Sequence, residues 1–402
     1  MEKLVFADGE KIGVFDGERV TLYESEYITR YRANAENRNR RDEWKYTGEG
    51  ARFRGDYERF QESRNEKVYA YINAVQWDGE SVLYSFTVNE TSGVYRKHIE
   101  QTDAEGKIPR EDHILTSSDE EILSVHAMGQ TLAVTVKHGL TSSVGVLNAA
   151  NAELKTLTDG DVRDQNAYFS PDGKTIYFNS AGAGMDGDGN YTGKFSPAAI
   201  CTLDLNTMEI TEVLRDEKKS FFKPKVATDG TLYCIERPTK EKKSGNLFLD
   251  ILLFPVRLLQ AIGMFLQAFV MLFTGKSLIS ETSDGANPAR GRKDKAYKIF
   301  VDGNMIEAEK ELKRNKRTKD KEYGFIPLSW KLVKVQGGAT EPIKSGICDF
   351  ALTQDGGIYC TNGRHIFYIK DGKSTKVADT DSCLTLATPS PERKQTDDLF
   401  GV

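Results

Sequence analysis

The sequence predicts an all-β fold that is built from repeated four-stranded sheets. In Asn166–Asn179, an apolar strand, a Ser-Pro-Asp-Gly turn and a second strand of aromatic and β-branched residues follow one another. Shorter copies of the turn recur at Asp78-Gly79, Asp229-Gly230 and Asp355-Gly356, and Gly129 occupies the corresponding place in a fourth. Sheets repeated in this way are typical of a β-propeller, and we predict six blades.

The repeat around Asn166–Asn179 also supplies the other two strands of a blade. Proline presets φ for the turn and Gly173 accepts the positive φ that follows, so the two strands fold back on each other. Ala199–Leu205 and Met208–Leu214 then read as two more strands that are joined by a polar turn. This segment resembles the PD40 (WD40-like) repeat of TolB and of the propeller domains attached to prolyl oligopeptidases. The resemblance implies a TolB-like propeller with a protein-binding role.

The two ends of the chain are predicted to share one blade. The N-terminus supplies three short strands but no innermost one, which Cys383–Ala387 can provide. Pairing of the two ends would remove the open edges of the ring. The predicted propeller covers residues 1–390, and 391–402 form a polar tail. Two alternatives remain open, a seventh blade from residues 26–66 and a pair of β-sandwiches.

The composition of the chain disfavours several classes of protein. The chain has 402 residues, 39% hydrophobic and 29% charged, and a net charge of −5, which disfavours general nucleic-acid binding. The five cysteines show no CxxC spacing, so neither a disulfide framework nor a zinc site is indicated. The first residues lack the apolar core of a secretory signal, and we therefore expect a cytoplasmic protein.

A strongly hydrophobic insertion is predicted within the fifth blade, between residues 239 and 327. Its core, Leu247–Phe273, is read as a helix that is apolar except for one face with Asp250 and Arg257. A single membrane crossing would place two halves of one blade on opposite sides of the bilayer, and two crossings need about 40 apolar residues. The segment therefore requires a cover of lipid or protein.

The covering partner is predicted to contact ten large apolar residues of this helix. They are Phe248, Leu252, Phe254, Leu258, Leu259, Ile262, Phe265, Leu266, Phe269 and Phe273. Basic residues follow at Arg290–Lys295 and in a predicted basic helix near 307–322, which suits an anionic cytoplasmic lipid surface. Peripheral membrane attachment, packing on the propeller, homo-oligomerisation through the insertion and a true membrane span are the alternatives.

Motifs for chemistry are weak. Asp186, Asp188 and Asn190 offer oxygen ligands at alternate positions, as a calcium loop does, but Tyr191 stands where the loop needs glycine. No other metal or cofactor is predicted, since the five histidines show no ligand spacing and no nucleophile elbow exists.

Three functions follow from these observations. The first is a non-enzymatic scaffold that binds an unidentified protein or peptide and is attached to the cytoplasmic membrane face. The second is a hydrolase or lyase with its site in the central channel, where residues from several blades converge. The third is a soluble propeller that oligomerises through the insertion.

Overall fold

The computed structural model describes residues 2–42, 68–102, 109–187, 191–239, 298–302, 304–318 and 321–389. The chain divides into two compact units. The first comprises Met1–Thr239 and Lys298–Val402. The second, Lys240–Tyr297, lies outside the described residues, as does the whole predicted apolar helix. The fold described below is therefore that of the first unit.

The N-terminal third forms two antiparallel sheets and a helix. Sheet 1 contains β1 (Leu4–Asp8), β2 (Lys11–Phe15) and β3 (Val20–Glu24), which are followed by the helix α1 (Glu26–Asp42). Sheet 2 contains β4 (Ala70–Asp78), β5 (Ser81–Val88), β6 (Thr91–Thr102) and β7 (Pro109–Ser117). In sheet 2 each strand pairs with the next along the chain, because short turns place consecutive strands side by side.

Sheets 3 and 4 repeat this order. Sheet 3 contains β8 (Glu121–Met128), β9 (Thr131–His138), β10 (Thr141–Asn148) and β11 (Glu153–Thr156). Sheet 4 contains β12 (Val162–Phe169), β13 (Thr175–Met185), β15 (Ala199–Asp204) and β16 (Ile210–Leu214), and β14 (Tyr191–Phe195) forms a side hairpin with β13. One parallel bridge, Ser142 to Arg163, joins the two sheets.

Sheets 5 and 6 complete the series. Sheet 5 contains β17 (Lys219–Val226), β18 (Leu232–Pro238), β21 (Lys331–Gln336) and β22 (Ala339–Ser345). Between β18 and β21 the structure describes a two-stranded hairpin of β19 (Lys298–Val301) and β20 (Asn304–Glu307), and the helix α2 (Ala308–Asn315). Sheet 6 contains β23 (Asp349–Leu352), β24 (Ile358–Thr361), β25 (Gly363–Lys370) and β26 (Lys373–Cys383).

The last strand returns to the first sheet. β27 (Leu386–Ala387) pairs with β1, so sheet 1 has the order β27, β1, β2, β3. Six buried hydrophobic clusters among the described residues join each sheet to the next one around the series. In the cluster between sheets 6 and 1, Leu4 and Phe6 of sheet 1 pack with Tyr359 and Ile366 of sheet 6. The sheets therefore form a closed ring, which confirms the β-propeller fold class.

The blade count of the whole chain stays a prediction. The described residues supply six four-stranded groups. The alternative seventh blade was assigned to residues 26–66, but Glu26–Asp42 is helical and Ile28 packs in the cluster between sheets 1 and 2. The five arginines and two alanines of α1 are good helix formers, which favours a helix here over a strand. The remainder of that candidate segment lies outside the described residues.

The hairpin β19–β20 was not expected from the sequence. It lies within the range taken as an excursion from the fifth blade, yet Ile299, Val301 and Ile306 are buried together with Trp330 and Phe350. In α2, Glu311 and Asn315 are also buried, and the Asn315 amide donates to the carbonyls of Gly324 and Ile326 at 2.9 Å each. This part of the insertion is thus packed on the propeller core rather than solvated on all sides.

Candidate functional site

The candidate site is the central channel. A cavity of about 130 Å³ is lined by residues from the innermost strand of each sheet, namely β4, β8, β12, β17, β23 and β27. Convergence of six strands on one axis brings together side chains that are far apart in the sequence. We call the end of each sheet where its innermost strand begins the upper end, and the opposite end the lower end.

Irregular backbone shapes the channel wall. The registers of β4, β8, β12 and β17 each shift against the neighbouring strand, between Ile72 and Ala74, Ile122 and Ser124, Gln165 and Tyr168, and Phe222 and Lys225. Two residues at these bulges have left-handed backbones, Asn166 with φ 59° and Lys223 with φ 52°. Positive φ is uncommon for a lysine, and bulges re-aim side chains. Both residues line the cavity.

Two lysines and one aspartate form an ion cluster in the channel. Lys225 Nζ lies 3.1 Å from Asp349 Oδ1, and Lys223 Nζ lies 3.5 Å from Asp349 Oδ2. The Asp349 side chain is only 3% exposed, and the two lysine side chains are 12% and 15% exposed. Lys223 also donates to the carbonyl of Leu384 at 3.0 Å, and Lys225 to that of Phe350. A buried ion cluster of this kind needs such added hydrogen bonds to offset its desolvation.

The protonation of the cluster follows from burial and charge. Burial opposes ionisation of Asp349, but the two ammonium groups outweigh it, so the pKa of Asp349 is lowered. Burial also opposes the charge on Lys223, yet Asp349 prevails and the pKa of Lys223 is raised. For Lys225 burial is the larger effect, only partly offset by Asp349, and its pKa is lowered.

A histidine and a tyrosine line the same cavity beside the cluster. The ring of His126 stacks on that of Tyr168, with centroids 3.8 Å apart. His126 Nδ1 accepts a hydrogen bond from the backbone N–H of Phe169 at 3.1 Å, so the ring proton is on Nε2. Burial, reinforced by the charge of Lys225, lowers the pKa of His126 to about 3. Burial raises the pKa of Tyr168 to about 12, so both rings are neutral near pH 7.

The unexpected hairpin reaches the upper end of the channel wall. Asp302, at its turn, accepts a hydrogen bond from the Asn166 side chain at 2.9 Å through Oδ1. Its charge also contributes to the raised pKa of Lys223. The other oxygen of Asp302 is buried and has no hydrogen-bond partner in the described part of the chain. The insertion therefore adds a carboxylate close to the channel lysines.

The upper end also carries most of the exposed large apolar side chains. Seven of the twelve among the described residues lie on connections or strand ends there. They are Tyr69, Tyr71, Leu140, Met185, Tyr191, Met305 and Leu328. We call these seven residues the upper apolar set. The other five lie on the outer strands β3 and β16 or on the turn that precedes β16.

The residues predicted from the sequence as contacts or ligands fall mostly outside this description. All ten predicted contact residues, from Phe248 to Phe273, lie outside the described residues, as do Asp188 and Asn190. Asp186 follows β13 at the start of the β13–β14 hairpin. Within the described ranges no group of three or more His, Cys, Asp or Glu side chains could hold a metal ion. No described helix combines the length and apolarity that a membrane crossing needs.

The cysteines are a further group of possible nucleophiles. All five are free and buried. Burial raises the pKa of Cys201 to about 11 and that of Cys360 to about 12, so these thiols are uncharged and poor nucleophiles.

The sequence analysis did not predict the channel residues, although their spacing within the repeats could have revealed them. Asn166, Lys223 and Asp349 each precede the turn aspartate of their own repeat, Asp172, Asp229 and Asp355, by the same spacing. Equivalent positions in a propeller lie at the same height in the channel, so the repeat alignment would have placed a lysine and an aspartate in one layer.

Comparisons with known proteins give matches among solved structures alone. No family model matches the chain, and no curated protein does. Among solved structures, TolB from Acinetobacter baumannii aligns with a TM-score of 0.49 and 11% identity, covering 97% of this chain and 67% of its own. The chain is similar to TolB propellers. A putative TolB from Agrobacterium tumefaciens gives 0.39 and 12% identity, over 78% of this chain and 82% of its own.

A nidogen/laminin complex also matches, with a TM-score of 0.47 and 8% identity over 96% of this chain and 98% of that one. At TM-scores below 0.5 these matches carry no argument about the chain. Functional inference has to come from the residues of the chain itself.

Proposed function

We propose that this protein is a non-enzymatic, protein-binding propeller scaffold that contacts its partner with the upper end of the ring. The observation that carries the proposal is the upper apolar set, which places seven of the twelve exposed large apolar side chains at one end of the sheets. Apolar side chains gathered on one face mark contact sites in soluble proteins. The described turns of the lower end, by contrast, are short and mostly polar, and Met208 is the exposed large apolar side chain among them.

The ion pairs and hydrogen bonds of the charged channel residues support a structural rather than a catalytic role for these residues. Asp349 binds Lys223 and Lys225, and also accepts hydrogen bonds from the backbone N–H groups of Phe350 at 2.8 Å and Leu386 at 3.1 Å. These contacts tie sheet 5, sheet 6 and the closing strand together. A carboxylate held by four donors is an anchor for the ring and a weak general base.

We further propose that the protein attaches peripherally to the cytoplasmic membrane face through Leu247–Phe273. The chain leaves the first unit after Thr239, whose backbone N–H bonds to the carbonyl of Lys218 at the upper end of sheet 5. The described part of the chain thus ends, before the insertion, at the end of the ring that carries the upper apolar set. The basic residues that follow it suit an anionic lipid surface.

Flotation with vesicles tests the membrane half of this function. Full-length protein should float with vesicles that contain anionic lipid, and a variant without residues 245–276 should stay in the soluble fraction. The same result for both proteins would contradict attachment through the insertion. Loss of a dimer on deletion, without any flotation of the full chain, would favour the alternative of oligomerisation.

Site-specific photocrosslinking in the native cell tests the scaffold half. A photoreactive amino acid at Leu140 or Met305, at the upper end, should give crosslinked protein adducts. The same group at Met208 or Ile210, which are similarly exposed but lie beside the lower end of sheet 4, serves as the matched control. Adducts from the control positions alone would overturn the assignment of the upper end.

A further inference from the structure

We propose that the central channel binds one small oxyanion, a carboxylate or phosphate group, between Lys225, His126 and Tyr168. This site is independent of the scaffold function and of the membrane attachment. The three residues line the same cavity and come from sheets 3, 4 and 5.

Each of the three side chains has a proton to donate. Lys225 has three N–H groups, of which Asp349 and the Phe350 carbonyl take two. His126 carries its proton on Nε2, because Nδ1 accepts from the Phe169 N–H. Three protons have no hydrogen-bond acceptor in the described part of the chain. They are the proton on His126 Nε2, the Tyr168 hydroxyl proton and the third proton of the Lys225 ammonium group. Three side chains that carry such donors and line one cavity suit an oxyanion.

The charge of the cavity wall favours an anion as well. Its ionised groups are Lys223, Lys225 and Asp349, which leaves one positive charge in excess while His126 is neutral. Asp349 is already held by both lysines and two backbone N–H groups. Asp302 does not line the cavity, but its charge acts on both Lys223 and Lys225. Burial still disfavours the charge of Lys225 more than its carboxylate neighbours favour it, and an anion next to its ammonium group would stabilise that charge.

The size of the cavity limits the ligand. A volume of about 130 Å³ corresponds to about four water molecules at about 30 Å³ each. A single carboxylate or phosphate group fits such a space, and a nucleotide or an oligosaccharide would extend beyond it. The group can belong to a free small acid or to an acidic side chain of a protein partner.

Thermal unfolding of the full-length protein in acetate or phosphate tests the site. At pH 7 and constant ionic strength, with chloride as the reference, either anion should raise the Tm of the wild type by at least about 2 °C at saturation. Lys225→Met should lose most of this rise. Lys219→Met is the matched control, since Lys219 lies on the same strand but pairs with Glu236 at 2.9 Å. It should keep the full rise.

A second variant guards against a folding defect. Lys225→Met disturbs the ion cluster, so Tyr168→Phe, which removes only the hydroxyl donor, should lower the anion effect in a ring that stays folded. The proposal is overturned if acetate and phosphate act no differently from chloride on the wild type. It is equally overturned if both variants respond as the wild type does.

The source of the group is resolved by calorimetric titration with acetate and with a blocked aspartate, N-acetyl-aspartate amide. Binding of acetate alone assigns the site to free small anions, and binding of both assigns it to an acidic side chain of a partner. Failure of both to bind overturns the site. The photocrosslinking and flotation results do not depend on either outcome, so the two proposals fail separately.

Discussion

Asp349 and Asp355 lie on the same repeat, one at the start of β23 and the other in the turn after it, yet they are stabilised in opposite ways. Asp349 is buried in the channel and binds lysines of the preceding sheet. Asp355 is half exposed and bonds within its own sheet, to the Gly357 N–H at 3.2 Å and to the Thr353 hydroxyl at 2.6 Å. The channel is thus held by contacts between sheets, and the lower end by contacts within each sheet.

Replacement of the channel aspartate should have the largest effect. Asp349→Ala leaves Lys223 and Lys225 buried without their counter-charge, and we expect a loss of about 3–5 kcal/mol in the free energy of unfolding. Urea denaturation measures it. The control, Asp355→Ala, removes a half-exposed carboxylate and should lose no more than about 1 kcal/mol. Equal losses would contradict the distinction between the two regions.

A glycine pair tests whether the lower turns depend on backbone geometry. Gly173, in the Ser-Pro-Asp-Gly turn, has φ 75°, so Gly173→Ala should lower the free energy of unfolding by about 1–2 kcal/mol. Gly187 lies in the hairpin loop at the upper end, where an added Cβ meets no atom within 4 Å and φ is not left-handed. Gly187→Ala should leave stability unchanged or slightly raised. A larger loss at Gly187 would contradict this picture.

The hydrogen bonds of Asp355 within its own sheet can be tested by varying the pH. Hydrogen bonds from Lys370, Thr353 and Tyr368 lower its pKa well below the ordinary value of 3.8. A lowered pKa in the folded state adds stability that is complete above about pH 4 and disappears as the pH falls through the folded-state value. The Tm difference between the wild type and Asp355→Asn should therefore shrink as the pH falls below 4. A constant difference from pH 6 to pH 2 would rule this out.

The smallest effect on stability is expected at the upper apolar set. Leu140 and Met305 are about half exposed, at 53% and 52%. Leu140→Gln and Met305→Gln should change the free energy of unfolding by less than about 0.5 kcal/mol, while the photocrosslinks at the upper end should weaken. Leu132 is a fully buried residue of β9, the strand that precedes Leu140, and Leu132→Ala should lose about 2–5 kcal/mol under the same conditions. A large loss at Leu140 would assign it to the core instead.

The difference between contacts within a sheet and contacts between sheets also explains which features the sequence could predict. Turns such as Ser170–Gly173 and the strands beside them depend on local chemistry, so the repeats and the propeller class were predictable from composition and spacing. The pairing of Lys225 with Asp349 joins residues of different repeats. Sequence spacing alone shows no such contact, and only the ring geometry brings the two residues together.

The hairpin β19–β20 was missed for a related reason. Its two strands, Lys298–Val301 and Asn304–Glu307, are short. They follow a long apolar run and several basic residues, and that combination is typical of a membrane-attached segment. The burial of Ile299 and Ile306 comes from packing against sheets 5 and 6. A four-residue strand has too little pattern to reveal such a partner on its own.

Pairing of β1 with β27 has a consequence for synthesis on the ribosome. The first sheet is made early, but its innermost strand emerges only when Leu386 and Ala387 leave the exit tunnel. At about 5–20 residues per second, β1 waits on the order of tens of seconds with its inner edge unpaired. During that interval Leu4 and Phe6 have no sixth sheet to pack against, and a nascent chain in this state is a natural client for chaperones that bind exposed apolar segments.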